Sequence, residues 1–288
     1  MRTHYVADTP LDDVRLAKDL EHSDSLPWSE AHSDYLSRGA YRSCMLWTPG
    51  GADGDGVVTK YDHHQPGAFT EYGNQLPYLR ELISTVVDLD RLNFVRLAKV
   101  QNSVAMPHRD LLELSDIPDD TRNAHRAHIP LATNENCFFS EGNTVYRMRR
   151  GEIWFLDASV IHSLAVLSTE ARIHLMLDFV NAPSEKPLIT IPGHSADAGI
   201  PEDRIVKRLP VTDADRASLL RLADVMTMET VDEIFSIVIK KHYRCDGGDD
   251  FVWSTMMDIA RACEDTETRR HIEELRRYFT IERSPYDT

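Results

Sequence analysis

The chain has 288 residues, 42% of them hydrophobic and 27% charged, so it is long enough to bury the core of a large globular domain. Its formal net charge of −15 at pH 7 argues against nucleic-acid binding, because nucleic-acid-binding surfaces are basic. No run reaches the ~18 apolar residues of a membrane span and the polar N-terminus does not resemble a signal peptide, so we expect a cytoplasmic protein without a membrane partner.

The N-terminal part, residues 1–90, is predicted to consist of helices and loops that pack on a core domain. A first helix is expected to begin with Thr9 as its N-cap, because Pro10 suits the first turn and apolar residues then repeat at helical spacing. The glycine- and aspartate-rich residues 48–56 predict a loop. A second helix is predicted to begin near Pro77.

Residues 91–182 are predicted to be the core domain, in a protein that is mainly β with additional helices. Short β-type segments alternate here with turn-like stretches, which is typical of a closed or sandwiched antiparallel sheet such as a jelly roll. In the segment ARIHLMLDF, residues 171–179, polar and cationic side chains alternate with apolar ones. A polar face inside a closed sheet predicts a ligand cavity rather than a filled core.

The C-terminal third is predicted to be mainly helical. Residues 183–210 contain five prolines and little periodicity, which indicates a linker or a strap over the surface. Residues 211–288 predict a helical subdomain, because Thr212 and Asp215 have the spacing of a helix-capping pair and amphipathic stripes follow.

The segment VAMPHRDLLE, residues 104–113, places His108 and Asp110 two residues apart, so that on a strand both would point to one face. The best candidate for a third metal ligand is His162, which follows the strand-like segment EIWFLD. Two imidazoles and one carboxylate are the ligand set of non-haem Fe(II) oxygenases. Arg172, ten residues later, could bind a carboxylate through two parallel hydrogen bonds. A co-substrate with such a carboxylate and a metal-chelating keto acid is 2-oxoglutarate.

Four segments of the chain resemble the bacterial L-proline cis-hydroxylases, relatives of the aspartyl/asparaginyl β-hydroxylases. These segments are MPHRDLLEL, HRAHIPL, MRRGEIWFLDASVIHS and RIHLMLDF. The resemblance implies a double-stranded β-helix, a jelly-roll or cupin-like core that binds Fe(II). It also implies 2-oxoglutarate and O2 as co-substrates, with ascorbate as an optional reductant.

The same resemblance implies a role for individual residues of this chain. The implied iron ligands, which are also the catalytic residues, are His108, Asp110 and His162. Arg172 would hold the distal carboxylate of 2-oxoglutarate, and His128 would lie close to the metal-bound end of that co-substrate. Arg126 would pair with the carboxylate of an amino-acid substrate.

We therefore expect hydroxylation of an unactivated C–H bond in a free small L-amino acid, with proline or a close analogue as the leading substrate. Two features differ from the proline enzymes: Leu111 follows HRD in place of an aromatic residue, and the loop 113–123 carries three aspartates. The same chemistry on another amino acid, for example a basic one, or on a peptide-borne residue is the first alternative. The second is a non-catalytic cupin-like protein that binds a metal or an organic acid. The oligomeric state stays open.

Overall fold

The computed structural model describes residues 3–57, 60–110, 123–180, 182–192 and 199–280. In these residues a seven-stranded sheet and a five-stranded sheet pack face to face, and helices cover their outer surfaces. The protein is thus mainly β with helices, as the sequence predicts. Every helix in the described ranges is too short or too polar to cross a membrane.

Both sheets are antiparallel throughout. In chain order the strands are β1 (His4–Asp8), β2 (Leu36–Arg38), β3 (Tyr41–Pro49), β4 (Gly67–Phe69), β5 (Leu92–Val100), β6 (Ser103–Ala105), β7 (Asn123–Ala132), β8 (Cys137–Glu141), β9 (Thr144–Tyr146), β10 (Glu152–Leu156), β11 (His162–Val166), β12 (Arg172–Val180), β13 (Leu209–Pro210) and β14 (Cys245–Asp246). The larger sheet has the order β1-β10-β7-β12-β5-β3-β4 and the smaller one β2-β6-β11-β8-β9. Strands β13 and β14 form a separate short parallel pair.

Seven α-helices occur in the described residues, three before the larger run of strands and four after it. They are α1 (Asp13–Ser23), α2 (Glu71–Asn74), α3 (Pro77–Val86), α4 (Asp213–Leu220), α5 (Val231–Arg244), α6 (Phe251–Ala262) and α7 (Thr266–Thr280). The predicted start of α3 at Pro77 is confirmed. Thr212 and Asp215 form a reciprocal capping box at α4, also as predicted.

The predicted start of α1 is wrong. The helix begins at Asp13, and its N-cap is Asp12 rather than Thr9. The carboxylate of Asp12 accepts hydrogen bonds from the backbone N–H groups of Val14 at 3.1 Å and Arg15 at 3.0 Å. These bonds satisfy two of the four N–H groups that the first turn leaves without a partner, so Asp12 is the residue that starts the helix.

The N-terminal part contributes strands as well as helices, which corrects the expectation for residues 1–90. Strand β1 pairs with β10 at one edge of the larger sheet, β3 lies between β5 and β4, and β2 pairs with β6 in the smaller sheet. Strand β3 is buried along almost its whole length, so it lacks the alternation of polar and apolar residues that marks a half-exposed strand. The sheets therefore extend beyond residues 91–182.

The two faces of β12 differ in polarity as its sequence predicts. Its odd-numbered residues from Ile173 to Phe179 join the main hydrophobic cluster beneath α1 and α3. Its even-numbered residues from Arg172 to Asp178 are buried on the opposite face, where Met176 packs against residues of the smaller sheet. The polar face consequently lies between the two sheets.

The C-terminal residues cover the other side of the molecule. In the segment before α4, Thr190 donates its backbone N–H to the carbonyl of Val86 at 2.9 Å, which ties this segment to the end of α3. Helices α5, α6 and α7 pack on the outer face of the smaller sheet, where Phe235 and Trp253 share a hydrophobic cluster with Val104 of β6. The residues directly after β6 thus lie beside the C-terminal helices.

Candidate active site

The ends of β6 and β11 bring His108 and His162 together. The N–H of His108 donates to the carbonyl of His162 at 3.0 Å, and the N–H of His162 donates to the carbonyl of His108 at 2.9 Å. The N–H of Asp110 donates to the carbonyl of Ala158 at 2.9 Å, which fixes the third residue against the loop between β10 and β11. The sequence predicts a strand for His108 and Asp110, but they do not lie on one. Strand β6 ends before Pro107, which has no N–H to continue the ladder.

His108, Asp110 and His162 form a compact group, here called the His–Asp–His cluster. One ligand atom from each residue lies within 4.8 Å of the others. Oδ1 of Asp110 is 3.3 Å from Nε2 of His108 and 3.8 Å from Nε2 of His162. In the ranges that the structure describes, no other group of histidine, cysteine or carboxylate side chains has this arrangement.

Both imidazoles of the cluster are oriented by hydrogen bonds from Nδ1. This atom lies 2.7 Å from the carbonyl oxygen of Met106 in His108 and 3.0 Å from that of Val160 in His162. Since a carbonyl only accepts, Nδ1 carries the proton, and Nε2 of a neutral ring then presents a lone pair. Burial and the nearby His108 lower the pKa of His162 to about 4, so its Nε2 lone pair faces the carboxylate of Asp110 at neutral pH. A cation bound between the imidazole nitrogens and the Asp110 carboxylate would offset the repulsion between their lone pairs.

Asp110 is kept ionised by the positive charge beside it. Burial raises the pKa of Asp110, but the Arg126 guanidinium and the two imidazoles outweigh this effect and hold the pKa well below its ordinary value. Nη1 of Arg126 donates to Oδ2 of Asp110, while Oδ1 faces the imidazoles. The carboxylate can thus offer one oxygen to a metal while its other oxygen is held by the protein.

Arg126 belongs to a largely buried charge network that the sequence does not predict. Its Nε donates to Oδ1 of Asp178 at 2.7 Å, and Nη2 of Arg96 donates to Oδ2 of Asp178 at 2.9 Å. Nη1 of Arg96 lies 3.0 Å from Nε2 of His32, and burial together with the Arg96 charge lowers the pKa of His32 to about 4. Arg96 interrupts the apolar strand LNFVRLAKV, and a cationic residue in such a strand is the signal that could have identified it.

Arg172 is buried without a carboxylate partner in the part of the chain that the structure describes. It is 1% exposed, its Nη2 lies 2.9 Å from Nδ1 of His174, and its Cζ lies 4.5 Å from the ring centroid of Phe139. Its Nε and Nη1 are buried and have no hydrogen-bond partner. Burial lowers the pKa of Arg172 to about 10, which still leaves it charged at neutral pH. A buried cation with two unpartnered donors suits an anionic ligand.

His128 lies in the same corner of the site as Arg172. Its Nδ1 is 3.3 Å from Nδ1 of His174, and its Nε2 is buried without a hydrogen-bond partner. Burial and the charges of Arg172 and Arg126 lower the pKa of His128 well below its ordinary value, so the ring is neutral. Depending on the tautomer, this nitrogen of the neutral imidazole can donate a hydrogen bond to a ligand beside Arg172 or accept one from it.

All six residues that the sequence singled out line one cavity between the two sheets. They are His108, Asp110, Arg126, His128, His162 and Arg172. The cavity wall also contains residues that the sequence did not single out, among them His32, Tyr35, Tyr41, Arg96 and Phe139. Two features by which the sequence differs from the proline enzymes, Leu111 and the aspartates of the loop 113–123, lie outside the described residues.

Comparison with known proteins gives a consistent family. Residues 14–182 match the family model for aspartyl/asparaginyl beta-hydroxylase, and residues 187–287 match the C-terminal model of L-proline 3-hydroxylase. The chain is 31% identical to L-proline cis-3-hydroxylase 1 of Streptomyces sp over 280 residues, which cover 96% of this chain and 94% of that protein. It is 30% identical to L-proline cis-4-hydroxylase of Rhizobium meliloti (strain 1021), with 97% of this chain and 96% of that protein covered.

Among solved structures, an oxidoreductase of the 2OG-Fe(II) oxygenase family from Burkholderia pseudomallei matches with a TM-score of 0.39 and 10% identity, over 63% of this chain and 88% of that one. A likeness this distant adds nothing to the assignment, which the sequence matches carry. These matches confirm the resemblance seen in the motifs. The chain belongs to the family of the L-proline cis-hydroxylases and aspartyl/asparaginyl β-hydroxylases.

Proposed function

We propose that this protein is an Fe(II)/2-oxoglutarate-dependent dioxygenase that hydroxylates an unactivated C–H bond of free L-proline or a close analogue. One observation carries the proposal: the His–Asp–His cluster opens on a cavity that also holds the guanidinium of Arg172, whose Nε and Nη1 have no hydrogen-bond partner. A metal-chelating keto acid with a second carboxylate matches both features. Family membership supports the choice of proline, because the relatives of this chain are L-proline hydroxylases.

We also propose that the two sheets form a double-stranded β-helix. Strands β5, β7, β10 and β12 belong to the larger sheet, and β6, β8, β9 and β11 belong to the smaller one. The chain therefore crosses between the sheets repeatedly, as in an eight-stranded jelly roll. On this interpretation the described parts of residues 183–210 are a strap, and those of residues 211–288 are a helical subdomain on the outside of the β-helix.

The cluster residues would hold Fe(II) through Nε2 of His108, Nε2 of His162 and Oδ1 of Asp110. Iron bound there would supply the activation of O2, coupled to the oxidation of 2-oxoglutarate to succinate and CO2 and to the transfer of one oxygen atom to the substrate. The contribution of the chain is to orient these atoms: two backbone carbonyls hold the imidazoles, and Arg126 holds Oδ2 of Asp110.

The remaining cavity residues would bind the two organic molecules. Arg172 would hold the distal carboxylate of 2-oxoglutarate through its Nε and Nη1, and His128 would hydrogen-bond near the metal-bound end. Arg126 would attract the carboxylate of the amino acid while it also positions Asp110. The substrate role is supported by the position of Arg126 in the wall of the cavity that also contains the His–Asp–His cluster.

The test is the release of succinate by the purified protein with Fe(II), ascorbate and 2-oxoglutarate. The standard amino acids and pipecolic acid are added one at a time, and product masses are recorded. We expect L-proline or a close analogue to stimulate succinate release and to gain one oxygen atom. His162→Ala, which lacks one imidazole of the cluster, is the matched control and should show neither effect.

Two other outcomes would change the proposal. Stimulation by a basic amino acid alone would keep the chemistry and replace proline as the substrate. If no amino acid stimulates succinate release, and anaerobic addition of Fe(II) and 2-oxoglutarate produces no visible absorption band, the protein is a metal- or acid-binding protein without turnover.

A further inference from the structure

We propose that the C-terminal helices α6 and α7 hold the segment that carries His108, and that Trp253 is a positioning residue for the metal centre. This inference rests on the proposed function, since it takes His108 as a ligand of Fe(II). It gives the C-terminal region a role in the reaction, although none of its helices supplies a residue of the His–Asp–His cluster.

Two hydrogen bonds connect these helices to the segment Pro107–Arg109. The indole Nε1 of Trp253, in α6, donates to the carbonyl of Pro107 at 3.0 Å. The backbone N–H of Arg109 donates to the carbonyl of Phe279, in α7, at 3.1 Å. The bonds therefore hold the chain on both sides of His108. Since β6 has already ended here, they replace the sheet bonds that would otherwise fix this backbone.

The ring of His108 is packed by aromatic side chains in addition. The ring centroid of Tyr35 lies 4.5 Å from that of His108, and the ring of Phe279 lies 6.4 Å away in an edge-on arrangement. Trp253 stacks on Phe279 with a centroid distance of 6.3 Å, and both are almost completely buried. The two helices thus restrict both the backbone and the imidazole of His108.

The helices are themselves held in place by packing, so they can restrict the position of the segment Pro107–Arg109. Trp253 packs edge-on against Phe235 of α5 at 5.3 Å, within the hydrophobic cluster that joins the C-terminal helices to the smaller sheet. Groups that orient metal ligands through hydrogen bonds typically change metal affinity by 10- to 100-fold. Trp253 acts one step further away, through the carbonyl of Pro107, so we expect an effect of about tenfold.

The test compares two tryptophan variants of the full-length chain. Trp253→Phe keeps an aromatic ring in the core and removes only the indole N–H. Trp47→Phe is the matched control, because the Nε1 of Trp47 donates to the carbonyl of Leu92 at the same distance of 3.0 Å, in a different hydrophobic cluster. Fe(II) affinity is measured anaerobically by competition with a coloured chelator, and stability of the metal-free protein by urea unfolding.

We expect the Kd for Fe(II) to rise about tenfold in Trp253→Phe and to stay at the wild-type value in Trp47→Phe, with similar losses of stability in both. Equal Fe(II) affinity in both variants and the wild type would overturn the inference alone. Failure of the wild type to bind Fe(II) would overturn the proposed function and, with it, this inference. If Trp253→Phe does not fold, Phe279→Leu removes instead the ring that packs on both Trp253 and His108, and an unchanged Kd for Fe(II) in that variant counts equally against the inference.

Discussion

Replacing Arg172 by methionine should weaken the binding of 2-oxoglutarate and yet leave the unliganded protein at least as stable as the wild type. The reason is that the guanidinium is buried with two donors unsatisfied and without a carboxylate partner among the described residues. A residue placed in this way reduces the stability of the empty protein, and its benefit comes only when an anion binds.

The effect on stability can be estimated from the pKa of Arg172. Burial lowers this pKa from 12.5 to about 10. Each pKa unit corresponds to about 1.4 kcal/mol, so burial of the charged form costs about 3 kcal/mol. Methionine removes this cost but also loses the cation–π contact with Phe139, worth ~1–2 kcal/mol, and the hydrogen bond to His174, worth ~1 kcal/mol. The net gain in the free energy of unfolding is therefore about 0–1 kcal/mol.

The effect on ligand affinity has the opposite sign and is larger. A carboxylate held by Nε and Nη1 of Arg172 would make two charge-assisted hydrogen bonds, each worth ~1.5–3 kcal/mol. Their loss should raise the Kd for 2-oxoglutarate by roughly 100-fold or more. Anaerobic titration calorimetry of the Fe(II)-loaded protein measures this Kd, and urea unfolding of the metal-free protein measures the stability.

Arg126→Met is the matched comparison, because Arg126 has carboxylate partners that Arg172 lacks. Its guanidinium is bonded to Asp110 and Asp178, so its removal takes the cationic partner from Asp110, leaves Asp178 with Arg96 alone, and should cost ~3–5 kcal/mol. If Arg172→Met destabilises the metal-free protein as much as Arg126→Met does, Arg172 is a structural residue and the reasoning is refuted. An unchanged Kd for 2-oxoglutarate would refute its anchoring role.

Two further changes test the metal site and the acid sensitivity of the fold. His162→Ala should abolish both Fe(II) binding and succinate release, because it leaves only two of the three proposed ligands. Retained turnover would remove His162 from the ligand set. Burial and the Arg208 charge lower the pKa of His242 to about 4 in the folded protein, so between pH 6.5 and pH 4 the unfolded chain binds a proton that the folded chain does not. Stability should thus fall as the pH falls, by about 3 kcal/mol at pH 4 for this residue, and urea unfolding of His242→Leu should lack that part of the decrease. A decrease in His242→Leu identical to that of the wild type would contradict the assignment.

The parts of the site that the sequence predicts are those that depend on local spacing. Alternation along β12 placed Arg172 on the polar face, and the pattern of His108, Asp110 and a later histidine identified the cluster. The network of Arg96, Asp178 and Arg126 depends instead on which strands are neighbours. Asp178 lies directly opposite Arg126 because β12 pairs with β7, and the pairing of β12 with β5 brings Arg96 alongside. Sequence spacing contains neither fact.

Tertiary contacts also decided the local features that were predicted wrongly. Thr9 and Asp12 are both residue types that cap helices, and the sequence around them favours Thr9 because Pro10 follows. In the folded protein the backbone N–H of Asp12 donates to the hydroxyl of Tyr78 in α3 at 2.8 Å, which holds Asp12 at the helix start. A contact between residues so far apart in the chain cannot be inferred from either segment alone.

The two regions matched by separate family models contact each other beside His108. The segment Pro107–Arg109 follows a strand of the first region, but its backbone bonds on both sides of His108 come from Trp253 and Phe279 in the second. Among the described residues, the sheet-like pairing that remains to it is the bridge to His162. The proposed metal centre lies where a strand ends, and hydrogen bonds from the C-terminal helices hold the backbone there. The amphipathic stripes of those helices predict that they pack on the sheet. They do not predict that the packing lies beside His108, which is what connects the helices to the proposed reaction.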